Sequence, residues 1–187
     1  MLKKRSVKKM SSRTLQTAAS GPPVRFVIVF AIAALVQFGV LLAPWTRPFI
    51  DGFSWSLVHV SASVIKFLGG HALANNMVMR APSGFAIEMK DGCNGVNVMI
   101  LLWSAVLAFP ASRSAKLIGL LAGAVAVHGL NFFRFISLFY LGQYNLSWFE
   151  FAHLYLWETL IMLDALIVFG VWARRSSPVF TDLHGAG

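Results

Sequence analysis

Residues 117–141 read LIGLLAGAVAVHGLNFFRFISLFYL. At 1.5 Å per residue this run reaches about 37 Å as a helix, more than the roughly 30 Å hydrocarbon core of a bilayer. It carries His128, Asn131 and Arg134 within otherwise apolar sequence. Whole-chain composition agrees with a lipid environment. Of 187 residues, 57% are hydrophobic and 12% charged, with 16 Phe and 6 Trp against 7 acidic residues. An average soluble domain is nearer 25% charged, and a chain this short has too little interior to hide so much apolar surface from water. The composition therefore excludes a soluble globular domain, and it excludes disorder as well.

Three further apolar runs lie along the chain, at 26–43, 95–110 and 151–173. Each must be a helix, because only helices and closed barrels satisfy the backbone inside lipid. The first follows a basic segment, as in a secretory signal, but at about 18 residues it exceeds a signal h-region and no clear cleavage site follows it. The expected fold is all-α and polytopic, with four transmembrane helices. Residues 1–23 form a basic, disordered cytoplasmic tail, 24–175 the integral membrane domain, and 176–187 a second cytoplasmic tail. Between the first two spans the texture changes. Residues 53–68 predict an interfacial amphipathic helix that includes His59 and Lys66. Residues 77–80 and 85–90 predict a short β-hairpin around Pro82-Ser83-Gly84, on the outer side.

The cations orient this arrangement. With four spans and the N-terminus inside, the cytoplasmic side holds Lys3, Lys4, Arg5, Lys8, Lys9, Arg13, Arg25, Arg113, Lys116, Arg174 and Arg175. The outer side holds Arg47, Lys66, Arg80 and Lys90, a division of eleven against four. This satisfies the positive-inside rule, whereas a fifth crossing at 53–68 moves four cytoplasmic cations outside. The net charge of +9 then reflects orientation and anionic lipid, not nucleic acid.

The polar residues at the outer level carry the chemistry. Cys93, the sole cysteine, lies in Asp91-Gly92-Cys93-Asn94-Gly95 at the start of the second span. Arg134 lies 17 positions after Leu117, or about 26 Å up from the cytoplasmic face. His153 opens the last span. A thiol, a guanidinium and an imidazole thus share one depth on three helices. Acyl transfer by a thiolate requires such a set. A helix N-terminus and a nearby cation favour the thiolate, an imidazole moves the proton, and a guanidinium holds the oxyanion. Asn94, Asn97 and Asn131 are supporting candidates: Asn97 is taken as one turn below Cys93, and Asn131 as one turn below Arg134. Plainer roles are available to each: Cys93 as a small apolar residue, Arg134 as a snorkelling anchor, His153 as an interfacial hydrogen-bonding group. His128 near mid-membrane, and the carboxylates Glu158 and Asp164, read as packing or structural hydrogen-bonding groups. Nothing in the sequence implies a metal or an organic cofactor.

The order Cys93-Asn94-Gly95 opening one span, Asn131-Phe132-Phe133-Arg134 late in the next and His153 opening the last resembles the exosortase/archaeosortase family. Within it the short chain is most similar to exosortase H. The resemblance covers about residues 77–173. It implies a Cys-Arg-His triad at Cys93, Arg134 and His153, facing the periplasm of a bacterial inner membrane with both termini cytoplasmic. The implied partners are membrane protein substrates with a C-terminal sorting signal: a short motif of the Ile-Pro-Thr-Leu type, a transmembrane helix and a basic tail. Phe135 follows Arg134 where the family often has Ile, and the additional spans of longer members are missing. The implied activity is that of a membrane cysteine endopeptidase or transpeptidase. A non-enzymatic membrane assembly factor or transporter subunit, with Arg134, Glu158 and Asp164 lining a polar path, is the alternative. A transporter places its charges near the midplane, whereas Cys93, Arg134 and His153 cluster at one rim; the intramembrane His128, Glu158 and Asp164 keep the alternative open.

Overall fold

A computed structural model describes residues 23–176. Residues 1–22 and 177–187, which the sequence assigns to the two tails, lie outside the described residues. The chain is mostly helical, with α1 at Pro23–Leu41, α2 at Arg47–Phe67, α3 at Val96–Ala108, α4 at Arg113–Tyr144, α5 at Leu146–Phe151 and α6 at Trp157–Ser176. A 3-10 turn, Pro44–Thr46, joins α1 to α2, and a π-helical segment, Ala152–Leu156, joins α5 to α6 without a break. Among the described residues, three helical stretches are long and apolar enough to cross a membrane: Val24–Leu41, Arg113–Tyr144 and Leu146–Ser176. The apolar run expected at 95–110 forms the shorter α3, of 13 residues. Gly95 before it has φ +81°, a left-handed conformation that ends the preceding turn and delays the helix. At its other end Pro110 follows closely and cannot continue a helix.

The helices are held together as lipid-embedded helices require, by small residues and a few polar contacts. Gln37, the one polar side chain of α1 beyond Arg25, donates to Ser104 Oγ of α3 at 2.8 Å and to the Ala33 carbonyl at 3.1 Å. Trp172 of α6 packs on α4 at Gly119, where a Cβ would lie 2.6 Å from the indole. Its Nε1 donates to the Ala115 carbonyl at 2.8 Å. Outward-facing side chains such as Ile28, Leu35, Leu121, Val125 and Leu166 are exposed, which suits a surface solvated by acyl chains. Helix α4 starts earlier than its apolar run because Ser112 caps it, accepting from Ala115 N at 3.2 Å.

One end of the bundle gathers Arg25, Pro110 and Lys116 around a crevice, with Arg113 opening α4 and Arg174 and Arg175 closing α6. The other end carries α2, the sheet and the Cys93 loop. Helix α2 buries Ser54, Val58, Ser61, Ala62 and Ile65, a helical i, i+4, i+7 stripe, while Trp55, Val60 and Phe67 stay exposed. It begins six residues before the amphipathic stretch expected at 53–68, because Pro48 falls in its first turn.

The expected hairpin is part of a three-stranded antiparallel sheet, in the order β1 (Leu73–Asn75), β2 (Val78–Arg80), β3 (Ala86–Glu88). Met79 opposes Ile87, and Ala74 opposes Met79 on the other side. Met79, Ile87 and Met89 point into a core shared with Val58 and Ile65 of α2 and with Phe135, Leu138 and Phe139 of α4. This core sets the sheet against the C-terminal half of α4, where Arg134 lies.

Candidate active site

A cavity of about 230 Å³ opens between β3, the Cys93 loop, α4 and the π-helical segment. Cys93, Arg134 and His153 all line it, with Asn131 on α4 and Phe149 on α5. Three side chains far apart in sequence thus meet laterally as well as in depth. From the start of α4, Arg134 lies 21 residues on, or about 32 Å along the helix.

Cys93 precedes α3 in a tight turn in which its own N–H donates to the Lys90 carbonyl at 3.0 Å. Asn94 anchors that turn from below. It is 2% exposed, its Nδ2 donates to Ser54 Oγ of α2 at 3.1 Å, and its Oδ1 accepts from Val96 N at 3.1 Å. Gly95 closes the turn at φ +81°, a backbone conformation strained for any residue with a side chain, and it packs beside Asn131 and the His128 ring. Asn94 therefore builds the loop and does not line the Cys93 cavity.

Arg134 is the connecting residue. It is 6% exposed, so its charge needs partners close by. Its Nη2 faces His153 Nδ1 at 3.4 Å, and its Nη1 lies 3.6 Å from Glu158 Oε2. A guanidinium has only donors, so Nδ1 is the accepting nitrogen and the neutral ring carries its proton on Nε2. The ring stacks on Phe149, with planes 10° apart and centroids 5.7 Å apart, which fixes its orientation. The ion pair is asymmetric in exposure, the carboxylate side chain being 63% exposed against 7% for the guanidinium.

Glu158 reaches this cluster because of the π-helical segment. Trp157 N–H donates to the Ala152 carbonyl, five residues back, so the chain turns more slowly there and residues five apart come onto one face. The sequence reading gave Glu158 only a packing or structural hydrogen-bonding role; the structure brings its carboxylate to the guanidinium.

The remaining candidates divide. Asn131 lies in the cavity, 1% exposed, and neither its Nδ2 nor its Oδ1 has a partner. Asn97 instead lines a neighbouring crevice with Arg47, Asp91 and Asn94. The expectation that it sits one helical turn below Cys93 assumed that Cys93 is helical, whereas α3 begins only at Val96. At that second crevice Arg47 donates to Asp91 at 2.6 Å, an exposed pair of little energetic weight. His128 is a packing residue, its Nε2 3.0 Å from Met99 Sδ and its ring edge-on to Phe53. Asp164 does not line the Cys93 cavity. Glu88, which ends β3, and Lys90 just beyond it do line it, and their exposed positions gave no sequence signal.

No family model, curated protein or solved structure matches the chain.

Proposed function

We propose that the protein is an integral membrane cysteine endopeptidase or transpeptidase that cuts peptide bonds of membrane-anchored substrates at the outer membrane surface. The observation that carries the reading is the meeting of Cys93, Arg134 and His153 in one cavity, with Arg134 joined to the imidazole. In this reading α3 serves as a fourth, short crossing among α1, α4 and α6, and both termini face the cytoplasm. The gathering of Arg25, Arg113, Lys116, Arg174 and Arg175 at the end away from Cys93 supports that orientation. The likeness to exosortases supports a bacterial inner membrane and substrates with a C-terminal sorting signal. A transporter reading is disfavoured because Arg134 and Glu158 pair beside Cys93 and not at mid-membrane.

The chemistry follows from the atoms. At rest the Nδ1 lone pair is capped by Arg134 at 3.4 Å, near the long limit for a hydrogen bond. A substrate carbonyl entering the cavity offers the guanidinium a better acceptor, and Nδ1 is released to take the thiol proton. Sγ of Cys93 adds to the carbonyl carbon, and the oxyanion is held by Arg134, with the unpartnered amide of Asn131 available as a second donor. Collapse breaks the C–N bond, His153 gives its proton to the leaving amine, and a thioester remains on Cys93. Water then yields a carboxylate, or an amine yields a new amide, and either regenerates the thiol.

The test is co-expression of Cys93→Ala or Cys93→Ser with a reporter membrane protein that ends in an Ile-Pro-Thr-Leu segment, a transmembrane helix and a basic tail. Uncleaved precursor should accumulate in both variants. Normal processing in Cys93→Ala would sink the reading.

A further inference from the structure

Strand β3 is the outer strand of the sheet, and its free edge borders the cavity that holds Cys93. The register decides which backbone groups that edge offers. Met89 N–H donates to the Met77 carbonyl, and Ala81 N–H donates to the Phe85 carbonyl. In an antiparallel ladder, hydrogen-bonded pairs alternate with non-bonded ones. Met79 and Ile87 therefore form the bonded pair between these two, while Val78 opposite Glu88 and Arg80 opposite Ala86 are the non-bonded pairs. On β2 the corresponding N–H and C=O groups turn toward β1. On β3 they turn outward.

Ala86 and Glu88 thus present two N–H and two C=O groups along an open edge, spread over about 7 Å. Both residues are exposed, and both line the Cys93 cavity. Such an edge is a template for another strand. An independent feature points the same way. The Asn131 amide is 1% exposed, carries no partner on either atom, and lines the same cavity from α4. A buried amide left empty on both sides is matched by a peptide group, which offers one donor and one acceptor.

We propose that the substrate binds in extended form as a fourth strand on β3, its backbone pairing with Ala86 and Glu88 and a further peptide group meeting Asn131. The edge leads toward the reactive thiol, since Cys93 follows Glu88 by five residues through a single turn. Main-chain pairing holds the peptide whatever its side chains, and specificity falls to alternate residues. This inference rests on the reading that Cys93 acts on peptide bonds, and it adds how the peptide is held.

Cross-linking tests it without turnover. Cys93→Ala leaves the chain without cysteine, so Ala86→Cys in that background supplies one thiol at the edge. A single cysteine is walked through the Ile-Pro-Thr-Leu region of the reporter, and disulfides are formed with a mild oxidant. Cross-linking at every second reporter position is expected. Helical spacing, or no cross-link at any position, would overturn strand addition. A second arm uses Ala86→Pro, which removes an outward N–H at a position where edge strands tolerate proline. At equal membrane level it should process the reporter about tenfold more slowly than Ala86→Ser, which keeps the N–H. Equal rates for Pro and Ser would also overturn the proposal. If Cys93→Ala itself processed the reporter, the peptidase reading would fall, while the cross-link pattern would still decide how the peptide docks.

Discussion

Replacing Arg134 by lysine keeps the charge and removes the fork. In the structure two different nitrogens of the guanidinium are engaged: Nη2 faces His153 Nδ1 at 3.4 Å and Nη1 faces Glu158 Oε2 at 3.6 Å. A lysine has one nitrogen on a flexible stem and cannot hold both directions at once. During reaction it would have to choose between bracing on Glu158 and meeting the oxyanion. Loss of one oxyanion donor typically slows a reaction by about 100- to 1000-fold, or about 2.7–4 kcal/mol of barrier. The cost to the fold should be far smaller. The lysine still sets a cation facing the Glu158 carboxylate, so the substitution leaves no charge without a partner. The assay is conversion of the sorting-signal reporter, normalised to membrane protein level, with the thermal midpoint in detergent measured alongside. The expected result is a nearly unchanged midpoint with conversion reduced by two to three orders of magnitude. Near-normal conversion by Arg134→Lys would reduce Arg134 to a membrane anchor and remove the oxyanion role.

Glu158→Gln should slow conversion by about 2- to 10-fold, because it loosens the brace on Arg134 without touching the reacting atoms; a variant as inactive as Cys93→Ala would mean that the carboxylate acts directly. His153→Gln should fail, since an amide can hydrogen-bond but cannot carry a proton at neutral pH. His128→Ala should retain most conversion, and its loss would place the reaction at the wrong depth. Gly119→Val should lower the thermal midpoint in detergent, because its Cβ would lie 2.6 Å from Trp172 and overpacking costs about 1–3 kcal/mol; an unchanged midpoint would show that α4 and α6 are less closely packed than described.

Hydropathy located the helices because lipid rewards continuous apolar runs, and α1, α4 and the continuous stretch from α5 through α6 coincide with three of them. It misjudged their ends, which backbone caps and turns decide: Ser112 starts α4 ahead of its apolar run, and Gly95 holds back α3. Strand β1, three residues long, is too short for an alternating pattern and forms because β2 offers it an edge. The Cys93, Arg134 and His153 set was legible as a shared depth, since 1.5 Å per residue converts sequence into height. Their lateral meeting depends on how the helices and the sheet pack, which no spacing encodes. Glu158 was illegible for a sharper reason. In a regular α-helix, five residues turn by about 500°, which places Glu158 about 140° away from His153. The π-helical segment narrows that offset, and nothing in Ala152-His153-Leu154-Tyr155-Leu156 announces it. Asn97 failed in the opposite way, through helical spacing applied across a turn.

The central claim is that Cys93 carries the acyl group of a cut peptide. The most direct measurement is the intact mass of the detergent-solubilised protein after brief incubation with the reporter and an acid quench. The account predicts an added mass equal to the N-terminal product of the reporter, located on the peptide containing Cys93 and released by hydroxylamine as a thioester must be. Cleavage of the reporter with no adduct on Cys93, continuing in Cys93→Ala, would contradict it.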